Sequence, residues 1–151
     1  MKIANKVVVV TGAGGGIGGE LVAVLLDRGA IVAAIDLRQE LLDKLKQTLG
    51  AQNDKLTTYA LDITDKHAVE NLPEAIITKH GAIDCLINCA GIIQPFVRVN
   101  DLDYSAIEKV MNVNFYGTLY MLKSFLPHLL RRSEAHVVNF SSMGGFLPVP
   151  G

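Results

Sequence analysis

The sequence predicts an α/β fold: a doubly wound parallel sheet with helices on both of its faces. Three observations predict it. Short β-branched runs alternate, along the whole chain, with longer segments whose apolar residues recur every three or four positions. The short runs are nearly all apolar, as strands buried on both faces are. Between the first run and the first helical segment stand six glycines in twelve residues, Thr11 to Val22. Hydrophobic residues make up 50% of the 151 and charged residues 19%, enough apolar material for a core. The length suits a single domain over 1–151.

The first strand is Val7–Val10, which runs into the glycines. A helix follows over Ile17–Arg28, with Ile17, Leu21, Val24 and Leu25 at helical spacing and Gly29 to stop it. Ile31–Asp36 is a second buried strand. Gln39–Leu49 carries Leu41, Leu42, Leu45 and Leu49 on one stripe, with Gly50 as its stop. Leu56–Asp62 is the third strand. Thr64 or Asp65 caps a helix over Lys66–His80, which Gly81 ends. Ile83–Gly91 is the fourth strand. The longest helical pattern runs from Tyr104 to Arg131, with Pro127 placed to bend its last turn. Ala135–Ser142 is the fifth strand, and the "MGGFLPVPG" after it has loop chemistry.

Charge and cysteine usage narrow the function. Lys and Arg number 14 against 15 Asp and Glu, which gives no footprint for nucleic acid or an anionic membrane as partner. The mean hydropathy of +0.32 comes from short runs, none of them the length of a membrane span. The apolar run at the N-terminus is too short for a secretory signal. Cys85 and Cys89 on one strand would stand roughly 13 Å apart, too far for a disulfide. No histidine pattern completes a metal site with them. Two buried, reduced thiols in a cytoplasmic protein are the expectation.

Glycine weakens a helix or strand by about 0.5–1 kcal/mol per interior position, so the glycine cluster needs a reason. Between a strand and a helix, such a turn lets backbone N–H groups and the helix N-terminus approach a pyrophosphate. Asp36 ends the second strand 18 residues after Gly18. A carboxylate there accepts hydrogen bonds from both ribose hydroxyls of an adenosine and repels a 2′-phosphate, which favours NAD over NADP. Leu37 follows it directly, Gly15 offers no cation on the loop side, and Arg38 is the one nearby positive charge.

The spacing reads Thr11-Gly12-x-x-x-Gly16-Ile17-Gly18, and four further motifs follow in order at strand ends or in the long helix. They are Asp62-Ile63, "NCAG" at Asn88–Gly91, "NVNFYG" with Asn114, and "VVNFSS" with Ser142. Together they resemble the short-chain dehydrogenase/reductase family, over nearly the whole chain. The resemblance implies a Rossmann-type fold and hydride transfer between an alcohol and a ketone or aldehyde. It implies cofactor contacts at Thr11, Gly12, Gly14, Gly15, Gly16, Ile17, Gly18, Asp36, Leu37, Asp62, Ile63, Asn88, Ala90 and Gly91. Ser142 would hydrogen-bond the substrate oxygen. Asn114 would hold a water, or distort its helix, in a proton relay. Cys89 departs from the family's Asn-Asn-Ala-Gly, with the expected loss of one side-chain hydrogen bond.

The family's acid is a Tyr four residues before a Lys. None of Tyr59, Tyr104, Tyr116 and Tyr120 has that partner, and the chain runs nine residues past Ser142, short of where the pair is expected. The expectation is therefore an enzyme part that is inactive alone, with a fifth strand exposed at the sheet edge. The alternative is a dinucleotide-binding module without catalysis. The 104–131 helix is apolar on more than one side, and the family pairs this helix across a two-fold axis, implying a homodimer or homotetramer.

Overall fold

In the computed structural model, which describes residues 2–145, strands and helices alternate as the sequence predicts. They are β1 (Val7–Thr11), α1 (Gly16–Asp27), β2 (Ile31–Asp36), α2 (Gln39–Leu49), β3 (Leu56–Ala60), α3 (Lys66–His80) and β4 (Cys85–Asn88). After β4 come α4 (Tyr104–Met111), α5 (Thr118–Leu129) and β5 (His136–Asn139). The sheet order is β3-β2-β1-β4-β5, with every neighbouring pair parallel. The chain builds outward from β1 to β3, then crosses back to place β4 on the other side of β1. The order reverses there, and a crevice opens at the C-terminal ends of β1 and β4.

Both faces of the central strands are covered, so these strands need no polar face. Val7, Val9, Ala33, Ile35 and Leu86 meet Val69, Leu72 and Ile76 of α3 and Met121, Phe125 and Leu129 of α5. Val8, Val10, Val32, Ala34 and Ile87 meet Val22, Leu25 and Leu26 of α1 and Leu42 of α2. Each buried Val contributes about 1.5–3 kcal/mol relative to exposure. The expected helix stops Gly29, Gly50 and Gly81 all take positive φ, at 82°, 54° and 82°. Of the two expected caps for α3, Asp65 serves: its side chain accepts from the Ala68 N–H at 3.1 Å.

Three strands end earlier than the sequence suggests. The fourth was expected to reach Gly91, but the N–H groups of Cys89 and Ala90 both donate to Thr11 Oγ1, at 3.1 Å each, and the ladder stops at Asn88. The third stops at Ala60, and Asp62 instead makes a turn, accepting from the N–H and hydroxyl of Thr64. With β4 finished, β5 loses its partner after the Phe140 N–H donates to the Asn88 carbonyl, so Ser141 and Ser142 leave the strand. The long helix is interrupted: Asn112–Gly117 is a π-helical segment between α4 and α5. Of the thiols, Cys85 is buried as expected but Cys89 is only half-buried; both are free.

All four residues of β5 are exposed at the open edge of the sheet, as expected. At the opposite end from the crevice, the buried Asp84 carboxylate ties three segments together. It accepts from the Val7 N–H at 3.0 Å and from Arg132 Nε and Nη2 at 2.9 Å each, with Lys6 Nζ at 3.7 Å.

The C-terminus of α3 is pinned to β3 through His80, whose Nε2 lies 2.7 Å from Thr57 Oγ1. Burial, and secondarily the charge of Lys79, lower its pKa from the ordinary 6.5. The unfolded chain therefore binds the proton more tightly, and this contribution to stability is present above pH about 6.5 and lost as pH falls through the folded value. Denaturant unfolding between pH 5 and 7.5 checks this. His80→Gln is expected to flatten the decline in stability toward acid relative to the parent.

Candidate functional site

The glycine loop sits where the strand order reverses. Gly12 has φ +67°, and a Cβ there would lie 2.8 Å from Ala90 Cα, so β1 can pass this close to the end of β4 only without a side chain. A Cβ on Gly18 would overlap the Gly12 carbonyl oxygen, which is how α1 packs tightly under the loop. Gly14 is crowded by Leu41 and Asp36. Gly16 meets nothing within 4 Å, and Gly15 meets only the Gly12 carbonyl, at 3.3 Å. Thus three of the glycines are required by the protein's own packing, and Gly16 leaves open space in front of the loop.

That space faces the start of α1. Gly15 is its N-cap, with extended backbone, and supplies no side-chain cap; there is no acidic residue in the first turn. The first amides of this 12-residue helix are therefore free to meet an anion. Ile17 is exposed beside them, while Thr11 is buried, its hydroxyl spent on the Cys89 and Ala90 amides. Asp36 stands across the loop: Oδ2 accepts from the Gly14 N–H at 2.9 Å and Oδ1 from the Arg38 N–H at 3.1 Å. Leu37 points outward, 65% exposed.

The other site residues lie along the same edge. Asn88 is buried and its Nδ2 donates to Asn139 Oδ1 at 2.8 Å; its own Oδ1 has no partner among the described residues. Asn114 sits within the π segment and is doubly tied to the loop after Gly91: Oδ1 accepts from the Ile92 N–H at 2.9 Å and Nδ2 donates to the Ile92 carbonyl at 2.8 Å. Its side chain is thus committed to the Ile92 backbone from within the π segment. Asp62 is exposed at the end of its turn, but Ile63 is turned inward: its Cδ1 fills the place of a side chain on Gly117, so only its backbone faces the edge. Ser142 is exposed, and its Oγ accepts from the Gly144 N–H at 3.1 Å, which leaves its own O–H free to donate outward.

Thr11 and Ala90 meet directly, as do Gly14 and Asp36, and Gly91–Ile92 and Asn114. Ser142 touches none of them by a hydrogen bond. Sequence reasoning missed Asn139, although an amide in the apolar run "HVVNF" is a signal that a buried polar partner is needed. Burial, then the nearby Asp84 charge, pushes the Cys85 thiol up to about 11, and burial raises Cys89. Both thiols are protonated at neutral pH and are poor nucleophiles. Among the described residues no group of His, Cys, Asp and Glu is placed to hold a metal ion, and no helix is long and apolar enough to cross a membrane.

A parallel sheet in this order, with an uncapped helix N-terminus at the reversal point and a carboxylate ending the adjacent strand, defines a Rossmann-type α/β protein. Within that class the chain belongs to the short chain dehydrogenase family, whose sequence profile matches residues 6–151. It is 33% identical over 153 residues to the 3-oxoacyl-[acyl-carrier-protein] reductase FabG of Thermotoga maritima, covering 100% of this chain and 61% of that protein. It is 37% identical over 149 residues to the glycine betaine reductase ATRR of Emericella nidulans, covering 99% of this chain and 12% of that protein. Among solved structures, NAD+-bound xylitol dehydrogenase superposes with a TM-score of 0.93 at 29% identity, covering 99% of this chain and 58% of that one. ElxO with NADP bound superposes with a TM-score of 0.90 at 28% identity, covering 99% and 59%. The chain spans less than two thirds of these relatives.

Proposed function

We propose that this chain is the cofactor-binding part of an NAD-dependent oxidoreductase that interconverts an alcohol and a ketone or aldehyde. The observation that carries the reading is the uncapped N-terminus of α1 at Gly15 and Gly16, with the Asp36 carboxylate across the loop. These residues fit a dinucleotide. The free amides of α1 take the pyrophosphate, and Asp36 takes the adenosine ribose. Asp62 and the Ile63 backbone border the adenine side, and Asn88, Ala90 and Gly91 line the crevice toward the nicotinamide. When bound, the nicotinamide accepts or supplies the hydride. Ser142 donates its hydrogen bond to the oxygen where negative charge develops. Asn114 fixes the Gly91–Ile92 loop against the helix above it.

Relatives of known ligand include one with NAD and one with NADP, so the choice of NAD rests on Asp36. Titration calorimetry with each dinucleotide tests it. NAD is expected to bind more tightly, and Asp36→Ala to narrow the difference by weakening NAD and relieving the repulsion of NADP. Equal affinity of the parent for both would reject the assignment.

The exposed stripe of Met111, Phe115, Leu119 and Leu126 lies on the helix face away from the buried Met121, Phe125 and Leu129. It suits pairing with a second copy in a homodimer or homotetramer.

A further inference from the structure

We infer that Leu41 is a positioning residue for cofactor choice, acting through Gly14 on the Asp36 carboxylate. The inference rests on the dinucleotide reading above and adds a residue to it. Leu41 belongs to the leucine stripe of α2, yet it does not join the core. Leu42 is fully buried, Leu45 and Leu49 pack against the same cluster, and Leu41 is half-buried outside it. Its neighbour is the glycine loop. A Cβ on Gly14 would stand 2.5 Å from Leu41 Cβ, 3.0 Å from Leu41 Cδ1 and 3.0 Å from Asp36 Oδ2. Leu41 therefore fills the space on the helix side of Gly14.

The consequence falls on the carboxylate. Two backbone donors from different segments, Gly14 N–H at 2.9 Å and Arg38 N–H at 3.1 Å, hold its two oxygens. Arg38 is fixed as the N-cap of α2. Gly14 is in a loop, and the Leu41 side chain is what stops that peptide from retreating toward α2. With both donors in place the carboxylate cannot swing aside, so a 2′-phosphate meets its full charge. Shortening Leu41 removes the Cδ1 contact, lets the Gly14 peptide withdraw and frees one carboxylate oxygen to rotate. Gly15 and Gly16 have no such wall beside them.

The test is a double-mutant cycle on the complete polypeptide, read as the ratio of the NADP and NAD dissociation constants from calorimetry. Partial unfolding weakens both dinucleotides by the same factor, so the ratio is insensitive to a merely structural role. Leu41→Ala is expected to lower the ratio about three- to tenfold. In an Asp36→Ala background, Leu41→Ala is expected to leave the ratio unchanged, because the group through which it acts is gone. An unaltered ratio in Leu41→Ala, or an equal shift with and without Asp36, overturns the inference. Should Leu41→Ala fail to fold, Leu41→Val carries the same comparison. A parent protein with no preference for NAD rejects the Asp36 reading itself, before any Leu41 variant is measured.

Discussion

Replacing Asp84 by Ala is expected to lower the unfolding free energy by about 3 kcal/mol, at the low end of the range for breaking a buried ion pair. Two losses add up. The Val7 N–H, the first donor of the central strand, is left without an acceptor in a buried position, which costs about 1–3 kcal/mol. The two charge-assisted bonds from Arg132 are also lost. The cations left behind decide where in the range the effect falls. Arg132 and Lys6 are 39% and 30% exposed, so they regain water and are not stranded. Asp84→Asn keeps an acceptor for Val7 and is expected to cost roughly half as much. Urea unfolding followed by circular dichroism measures both. A change below about 0.5 kcal/mol for Asp84→Ala would mean that this carboxylate does not organise the N-terminal end of the sheet. A loss of 3 kcal/mol is a large share of the 5–15 kcal/mol typical of a folded domain.

The second large effect is on chemistry. Ser142→Ala in the complete polypeptide is expected to lower the turnover number by about 10²–10³-fold, the usual effect of removing one donor to a developing oxyanion. The argument is geometric. Ser142 Oγ accepts from the Gly144 N–H, which leaves its own O–H available to donate to a substrate oxygen. That donor matters most where charge builds up in the transition state, so turnover should fall more than substrate affinity. Among the described residues Ser142 makes no hydrogen bond to the glycine loop or Asp36, and the dissociation constant for NAD is expected to stay within about twofold of the parent. Ser142→Thr, which retains the hydroxyl, is expected to recover part of the rate. Stopped-flow measurement of the hydride step separates these cases. Unchanged turnover in Ser142→Ala would remove this residue from the mechanism.

Much of the architecture was readable because local and global signals agree. Val7–Val10 announces a strand covered on both faces, and the structure covers it with α1 and α2 on one side and α3 and α5 on the other. Gly29, Gly50 and Gly81 announce helix ends, and each takes the positive φ that makes glycine suitable there. Strand ends were less readable. The end of β4 depends on one side chain reaching across the fold to claim two backbone donors. Thr11 closes β4 from 78 residues away, and no pattern around Cys89 betrays it. Leu41 illustrates the same limit. Its spacing is that of a core residue, and only the three-dimensional approach of the glycine loop redirects it. The site residues share one edge because they sit at strand C-termini, which spacing does reveal. Their individual hydrogen-bond partners, such as Ile92 for Asn114 and Asn139 for Asn88, it does not.

The π segment at Asn112–Gly117 has a meaning in terms of insertion and deletion. A turn that closes i to i+5 holds one residue more than the α-turn it replaces. Removing one residue there would restore an uninterrupted α-helix and rotate everything on one side by about 100° relative to the other. The inward positions Gly117, Met121, Phe125 and Leu129 would stay seated on the sheet, held by the core. The rotation would then fall on α4, which has no buried residue to resist it, and Asn114 would leave Ile92. A length change of one residue here would cost little stability, yet it would unhook the loop that follows β4. In any comparison of related chains, gaps are better tolerated in the solvent-facing 92–103 segment than in these six residues.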